Sequence, residues 1–128
     1  MTLQVELVSP ERILYSGEAD MVIARTIDGE IAFMTGHAPF IGSLGIGAVT
    51  VRGTDGTEVK AAVHEGFVEV TDDRVTILSD VAELADDIDS DRARRALDDL
   101  GHSKADTDEA EAQAGRRRAQ LRVDVAGG

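Results

Sequence analysis

The chain has 128 residues, no cysteine, no tryptophan, and only three phenylalanines, one tyrosine and two prolines. Without cysteine, disulfides and thiolate metal sites are excluded, and the lack of cross-links fits a reducing cytosol. Aromatics make up 3% against 42% hydrophobic residues in all, so a core must be built mainly from Val, Ile, Leu and Ala. No apolar run reaches the roughly 20 residues that a helical membrane span needs. The first residues, Met1-Thr2-Leu3-Gln4-Val5-Glu6-Leu7-Val8, read as a strand and lack the basic start of a signal peptide. Positive charge is scarce as well: 13 Lys and Arg stand against 25 Asp and Glu, for a net charge of −12. Residues 1–86 hold 15 acids and 5 bases, and residues 87–128 hold 10 and 8, so the excess lies in the N-terminal part. That field opposes nonspecific binding to nucleic acid or to an anionic lipid surface. It fits either a basic protein partner or a salt-adapted host.

Near residue 86 the hydrophobic period changes. Before it, short β-branched runs alternate between turn signals, as in Met21-Val22-Ile23, Ala48-Val49-Thr50-Val51 and Val75-Thr76-Ile77-Leu78. The pattern predicts about ten strands, near 3–8, 12–16, 20–26, 30–34, 40–44, 47–52, 58–64, 67–71, 74–78 and 81–84. Ser16-Gly17, Asp28-Gly29, Asp55-Gly56 and Asp72-Asp73 supply the turns, with Asp55-Gly56 the clearest hairpin tip. A β-sandwich or flattened barrel follows for residues 1–86.

After the seam, Ala93, Ala96, Leu97 and Leu100 repeat at i, i+3, i+4 and i+7, the spacing of one helical face. Asp89 is placed to cap that helix, which should run to Leu100 and stop at Gly101. Residues 101–107 form a connection, and a second helix runs from about Asp108 to Val123 or Val125. Its acids (Asp108, Glu109, Glu111) come first and its arginines (Arg116, Arg117, Arg118, Arg122) last, matching the helix dipole. The apolar stripe on the second helix, Ala110, Ala114, Leu121 and Val125, is thin. Residues 87–128 therefore read as an antiparallel helical hairpin of marginal stability, suited to a movable arm.

Few residues suggest chemistry. His37, His64 and His102 lack metal-ligand spacing. Gly36-His37-Ala38-Pro39 reads either as a stiff surface turn or, with a carboxylate in reach, as the general base of a small hydrolase. His64-Glu65-Gly66 reads as ordinary hairpin structure. No P-loop, nucleophile elbow or dinucleotide fingerprint is present. At the seam, Glu83 and Asp87-Ile88-Asp89-Ser90-Asp91-Arg92-Ala93 place free helix amides and a guanidinium where a phosphate could sit. The flanking aspartates oppose a tight anion site, and taken alone the segment reads better as a plain capped helix.

Taken in order, these segments resemble the epsilon subunit of bacterial F-type ATP synthases over nearly the whole chain. The resemblance rests on Val8-Ser9-Pro10-Glu11 with Tyr15-Ser16-Gly17, and on Gly29-Glu30-Ile31 followed by Gly36-His37-Ala38-Pro39. It continues through Gly66-Phe67-Val68-Glu69-Val70, Val75-Thr76-Ile77-Leu78 and Ala119-Gln120-Leu121-Arg122-Val123. It implies a non-catalytic central-stalk subunit that couples the membrane rotor ring of c subunits to the gamma subunit. It also implies that the C-terminal helices reach the catalytic alpha/beta hexamer transiently and restrain ATP hydrolysis. The place implied is the cytoplasmic face of the bacterial plasma membrane, peripheral and without lipid insertion.

By the same resemblance, Glu30 and His37 contact the rotor ring. Ile88-Asp89-Ser90-Asp91-Arg92-Ala93 matches the family's Ile/Leu-Asp-x-x-Arg-Ala motif, so Glu83, Ile88, Asp89, Arg92 and Ala93 would bind ATP as a regulatory ligand. No cofactor is otherwise required. The chain departs from the family pattern at Ala32 and Thr35, at Asp99, and at His64-Glu65-Gly66, where Ser-Gly-Gly is common. The competing readings are a stand-alone ATP-sensing module, which would compact on ATP without a partner, and the His37 hydrolase.

Overall fold

Alternating small and β-branched residues fold the first 84 residues into an all-β unit. The computed structural model describes residues 2–102 and 109–127. The strands are β1 (Leu3–Val8), β2 (Ile13–Thr26), β3 (Gly29–Phe33), β4 (Phe40–Gly53), β5 (Glu58–Thr71), β6 (Arg74–Leu78) and β7 (Ala82–Leu84). Side chains alternate along β1, where Leu3, Val5 and Leu7 are buried and Gln4 and Glu6 are not. They meet Val22, Phe33, Val49, Val51, Val63, Val68, Val70, Val75 and Ile77 in one core. Burying each such side chain is worth about 1.5–3 kcal/mol, so an aromatic-poor core still suffices.

The order β1-β6-β5-β4-β2 closes on itself through β1–β2 pairing, with β3 added beside β2 and β7 beside β5. This is the expected flattened barrel. The ten short runs of the sequence fall on seven strands because three pairs of runs join. β2, β4 and β5 are each 14 residues long and bend so that one strand serves both layers. Register shifts between Ala19 and Met21 and between Ile23 and Thr26 bend β2, the usual work of β-bulges. The Ser16-Gly17 turn signal is thereby overruled: both residues lie inside β2, paired with Glu6 and Val5. The Asp28-Gly29, Asp55-Gly56 and Asp72-Asp73 turns form, with Gly29, Gly56, Asp72 and Asp73 at positive φ.

β5 bends at Glu65-Gly66. Glu65 takes φ 68°, and a Cβ on Gly66 would stand 2.1 Å from the carbonyl oxygen of Leu78. Only glycine lets β5 approach β6 so closely there. The buried Ser79 hydroxyl braces the corner, 2.6 Å from the Glu65 carbonyl oxygen and 2.8 Å from that of Val81.

A 3-10 turn (Ala85–Asp87) leads from β7 to α1 (Ser90–His102), and α2 spans Glu109–Gly127. Asp89 caps α1 as expected: its Oδ1 accepts the Arg92 amide proton at 3.0 Å. The helix runs through Gly101 rather than stopping there, and the expected connection then lies mostly outside the described residues. Of the expected stripe on α1, Ala93 is buried and Leu97 half-buried, while Ala96 faces solvent. On α2, Val125 is buried and Leu121 half-buried, and Ala119 is buried as well. α2 touches α1, β4, β5 and the 3-10 turn, so it lies against the barrel wall.

Candidate functional site

At the seam, side chains from β5 and α2 gather around one carboxylate. Glu83 sits on the short strand β7, which pairs with β5. Its Oε1 accepts a hydrogen bond from Arg122 Nε of α2 at 2.6 Å and lies 3.1 Å from His64 Nε2. A carboxylate only accepts, so the imidazole carries its proton on Nε2. His64 is 5% exposed, and its Nδ1 is buried with no hydrogen-bond partner among the described residues. Burial, with the charges of Arg122 and Arg118, holds His64 below its ordinary pKa, against the opposing hydrogen bond to Glu83. Burial pushes Glu83 upward, but the Arg122 and His64 contacts outweigh it and hold the carboxyl below its ordinary range. Beside this triad, Arg118 of α2 lies 3.9 Å from the Glu65 carboxylate. Outside it, Arg12 grips Asp87 at 2.7 Å and ties the β1–β2 turn to the 3-10 turn.

The expected ATP-binding residues share this region without converging. Glu83 is engaged as described, and Asp89 is used by its own helix. Ile88 is half-buried and donates its amide proton to Ala85. Arg92 is exposed on the first turn of α1, and Ala93 is packed. Among the described residues no hydrogen bond or ion pair joins Arg92 to Glu83. Sequence reasoning missed His64, Glu65, Arg118 and Arg122 as a group. The available signal was the departure at 64–65: Glu65 faces Arg118 of α2, and His64 shares the Glu83 carboxylate with Arg122.

Glu30 and His37 lie at opposite ends of β3. Glu30 is exposed at its start, opposite Arg25. His37 lies in the turn beyond its end, packed edge-on against Phe33 and Phe40 at ring distances of 5.1 and 6.2 Å. Its Nδ1 proton points to the Ala38 carbonyl oxygen at 2.6 Å, and Gly36 N donates to Asp73 Oδ1 at 2.7 Å. Its neighbours are thus aromatic rings and a backbone carbonyl, an arrangement that stiffens a turn. Among the described residues, no group of three or more His, Asp or Glu could hold a metal ion. Among the described residues no helix is long and apolar enough to cross a membrane.

One surface is unusually apolar. Val8, Leu78, Phe67 and Ser43 stand in register across β1, β6, β5 and β4. Phe67 is 60% exposed and Leu78 52%, with Ile41 nearby at 76%. Val8, Pro10, Phe67 and Leu78 line a groove of about 240 Å³ beside this row.

Comparison with known proteins agrees with this architecture. Residues 2–85 match the family described as ATP synthase, Delta/Epsilon chain, beta-sandwich domain. The chain is 48% identical over 121 residues to the ATP synthase epsilon chain of Streptomyces griseus, covering 94% of this chain and 92% of that one. It is 41% identical to the epsilon chain of Bacillus velezensis, covering 98% of each. A chain in the Euglena gracilis mitochondrial ATP synthase structure (OSCP/F1/c-ring) superposes with a TM-score of 0.74 at 20% identity, over 98% of this chain and 78% of that one. A chain in the central stalk/c-ring structure of the Tetrahymena thermophila enzyme gives 0.63 at 17% identity, over 99% and 95%. With the barrel, the closing strand order and the C-terminal helix pair all in place, the chain belongs to the epsilon-chain family of F-type ATP synthases.

Proposed function

We propose that this chain is a non-catalytic central-stalk subunit that couples the rotor ring to the gamma subunit and restrains ATP hydrolysis through its C-terminal helices. The observation that carries the reading is the division of surfaces. α2 covers one wall of the barrel with the help of partly solvated polar contacts, and Leu78, Phe67 and Ile41 stay exposed on another face beside half-buried Val8. Large exposed apolar rows on a small domain mark partner sites, and the gamma subunit is the partner assigned to this one. Residues 1–86 then form the docking part and residues 87–128 the arm. Glu30 and His37 are assigned to the ring-facing side, at the peripheral, cytoplasmic face of the membrane. ATP is a regulatory ligand candidate for the seam: Arg92, exposed beside the α1 N-terminus, would take a phosphate, with Glu83, Ile88, Asp89 and Ala93 framing it.

The test uses a catalytic hexamer with its gamma subunit from the same organism. Hydrolysis is measured alone, with the full chain, and with residues 1–85, with co-elution checked each time. Co-elution of both forms with slowing by the full chain alone is the expected result. Loss of gamma binding on truncation overturns the division of labour, and equal hydrolysis with both forms removes the restraining role.

A further inference from the structure

Two buried or half-buried ionisable groups facing a helix through one shared hydrogen-bond acceptor form a device that neither the family match nor the proposed coupling role calls for. We propose that His64, Glu83 and Arg122 form a proton-sensitive latch that holds α2 on the barrel near neutral pH and releases it when the imidazole takes up a proton.

The chemistry follows from the two imidazole nitrogens. In the docked state Nε2–H donates to Glu83, whose Oε1 also accepts from Arg122 at 2.6 Å, so one oxygen joins β5, β7 and α2. Protonation would put a second N–H on Nδ1, which is buried without an acceptor among the described residues. A buried donor left unsatisfied is costly, and so is a buried cation facing arginines. The groups acting on the imidazole are Glu83 from β7 and Arg122 and Arg118 from α2. Ile46, its register partner on β4, brings no charge, and no group on β6 or the 3-10 turn contributes. Two of the three therefore leave when α2 leaves, and the ring gains access to water.

The sign is fixed by this asymmetry. The docked state holds His64 below its ordinary value, so the released state binds the proton more readily and docking weakens as pH falls. The window lies below the released-state value near 6.5 and above the carboxylate range, where Glu83 is still ionised. Any effect on hydrolysis rests on reading the helices as the brake, whereas the latch itself does not.

The experiment uses the isolated full chain, whose lack of cysteine allows two labels to be placed at Thr54→Cys and Arg116→Cys, both exposed. Energy transfer between them reports docked and released α2. Between pH 7.5 and 5.5 the docked-to-released ratio should fall severalfold, with about tenfold as the limit set by one pH unit below 6.5. His64→Gln, which cannot gain a proton, should stay flat across the window. Arg122→Gln should release α2 at pH 7.5 and, by NMR titration, let the His64 ring titrate at a higher pH than in the parent. A change under twofold in the parent, an equal change in His64→Gln, or an unmoved His64 titration in Arg122→Gln would each overturn the latch.

Discussion

At the scale of single residues, the bend of β5 depends on one missing Cβ. Gly66 would meet the Leu78 backbone at 2.1 Å if it carried one, and backbone cannot swing aside as a side chain does. Gly45 lies on β4 next to the same bend, between Leu44 and Ile46, which pair with Gly66 and His64. It has nothing within 4 Å and no positive φ. Gly66→Ala should therefore lower the unfolding free energy by about 3 kcal/mol. Gly45→Ala should leave it unchanged or raise it by roughly 0.5 kcal/mol through loss of unfolded-state entropy. Urea midpoints at constant slope compare the two. A Gly66→Ala variant as stable as Gly45→Ala would show that the corner has slack that the close approach denies.

At the scale of elements, the cap on α1 can be isolated from the barrel. Asp89 Oδ1 accepts the Arg92 amide proton, beside the backbone bond from Ala93 N to the Asp89 carbonyl oxygen. Asp89→Ala should cost the helix about 1 kcal/mol, read as a roughly fivefold faster amide exchange over residues 91–95 with exchange in β5 unchanged. Equal acceleration in both would mean that the helix and barrel open together. The seam, the Asp89 cap and both helices were legible in the sequence because period and N-cap chemistry are local, whereas the Gly101 stop was not, the helix running through it. The three long strands were not. Their bends rest on close approaches such as Gly66 to Leu78, and alternation continues on both sides of each bend, so glycine reads as an end. Tertiary packing also decides that Ala96 faces out while Ala119 faces in. The triad was hidden for a related reason: His64, Glu83 and Arg122 lie 19 and 39 residues apart along the chain, and only β5–β7 pairing and α2 docking bring them together. The departure at His64-Glu65 was the one local trace of it.

At the scale of the whole molecule, charge and apolar surface should act on different steps of docking. The N-terminal part carries 15 acids against 5 bases, and its field reaches beyond contact distance at low salt. The row of Val8, Leu78 and Phe67 acts only at contact, since burial is short-ranged. Electrostatic attraction mainly raises association rates, and buried apolar area mainly lowers dissociation rates. Raising ionic strength from about 0.1 M to 1 M shortens the screening length from about 10 Å to 3 Å. Association with a gamma subunit should then slow by about tenfold or more while dissociation barely changes. Phe67→Ser should show the reverse pattern, with faster dissociation, unchanged association, and little loss of fold stability because the ring is 60% exposed. Surface-immobilised gamma complex and a salt series on both proteins separate the two rates. Association that ignores salt would assign the acidity to the host's solvent rather than to the partner. Dissociation that ignores Phe67→Ser would move the docking surface off this row.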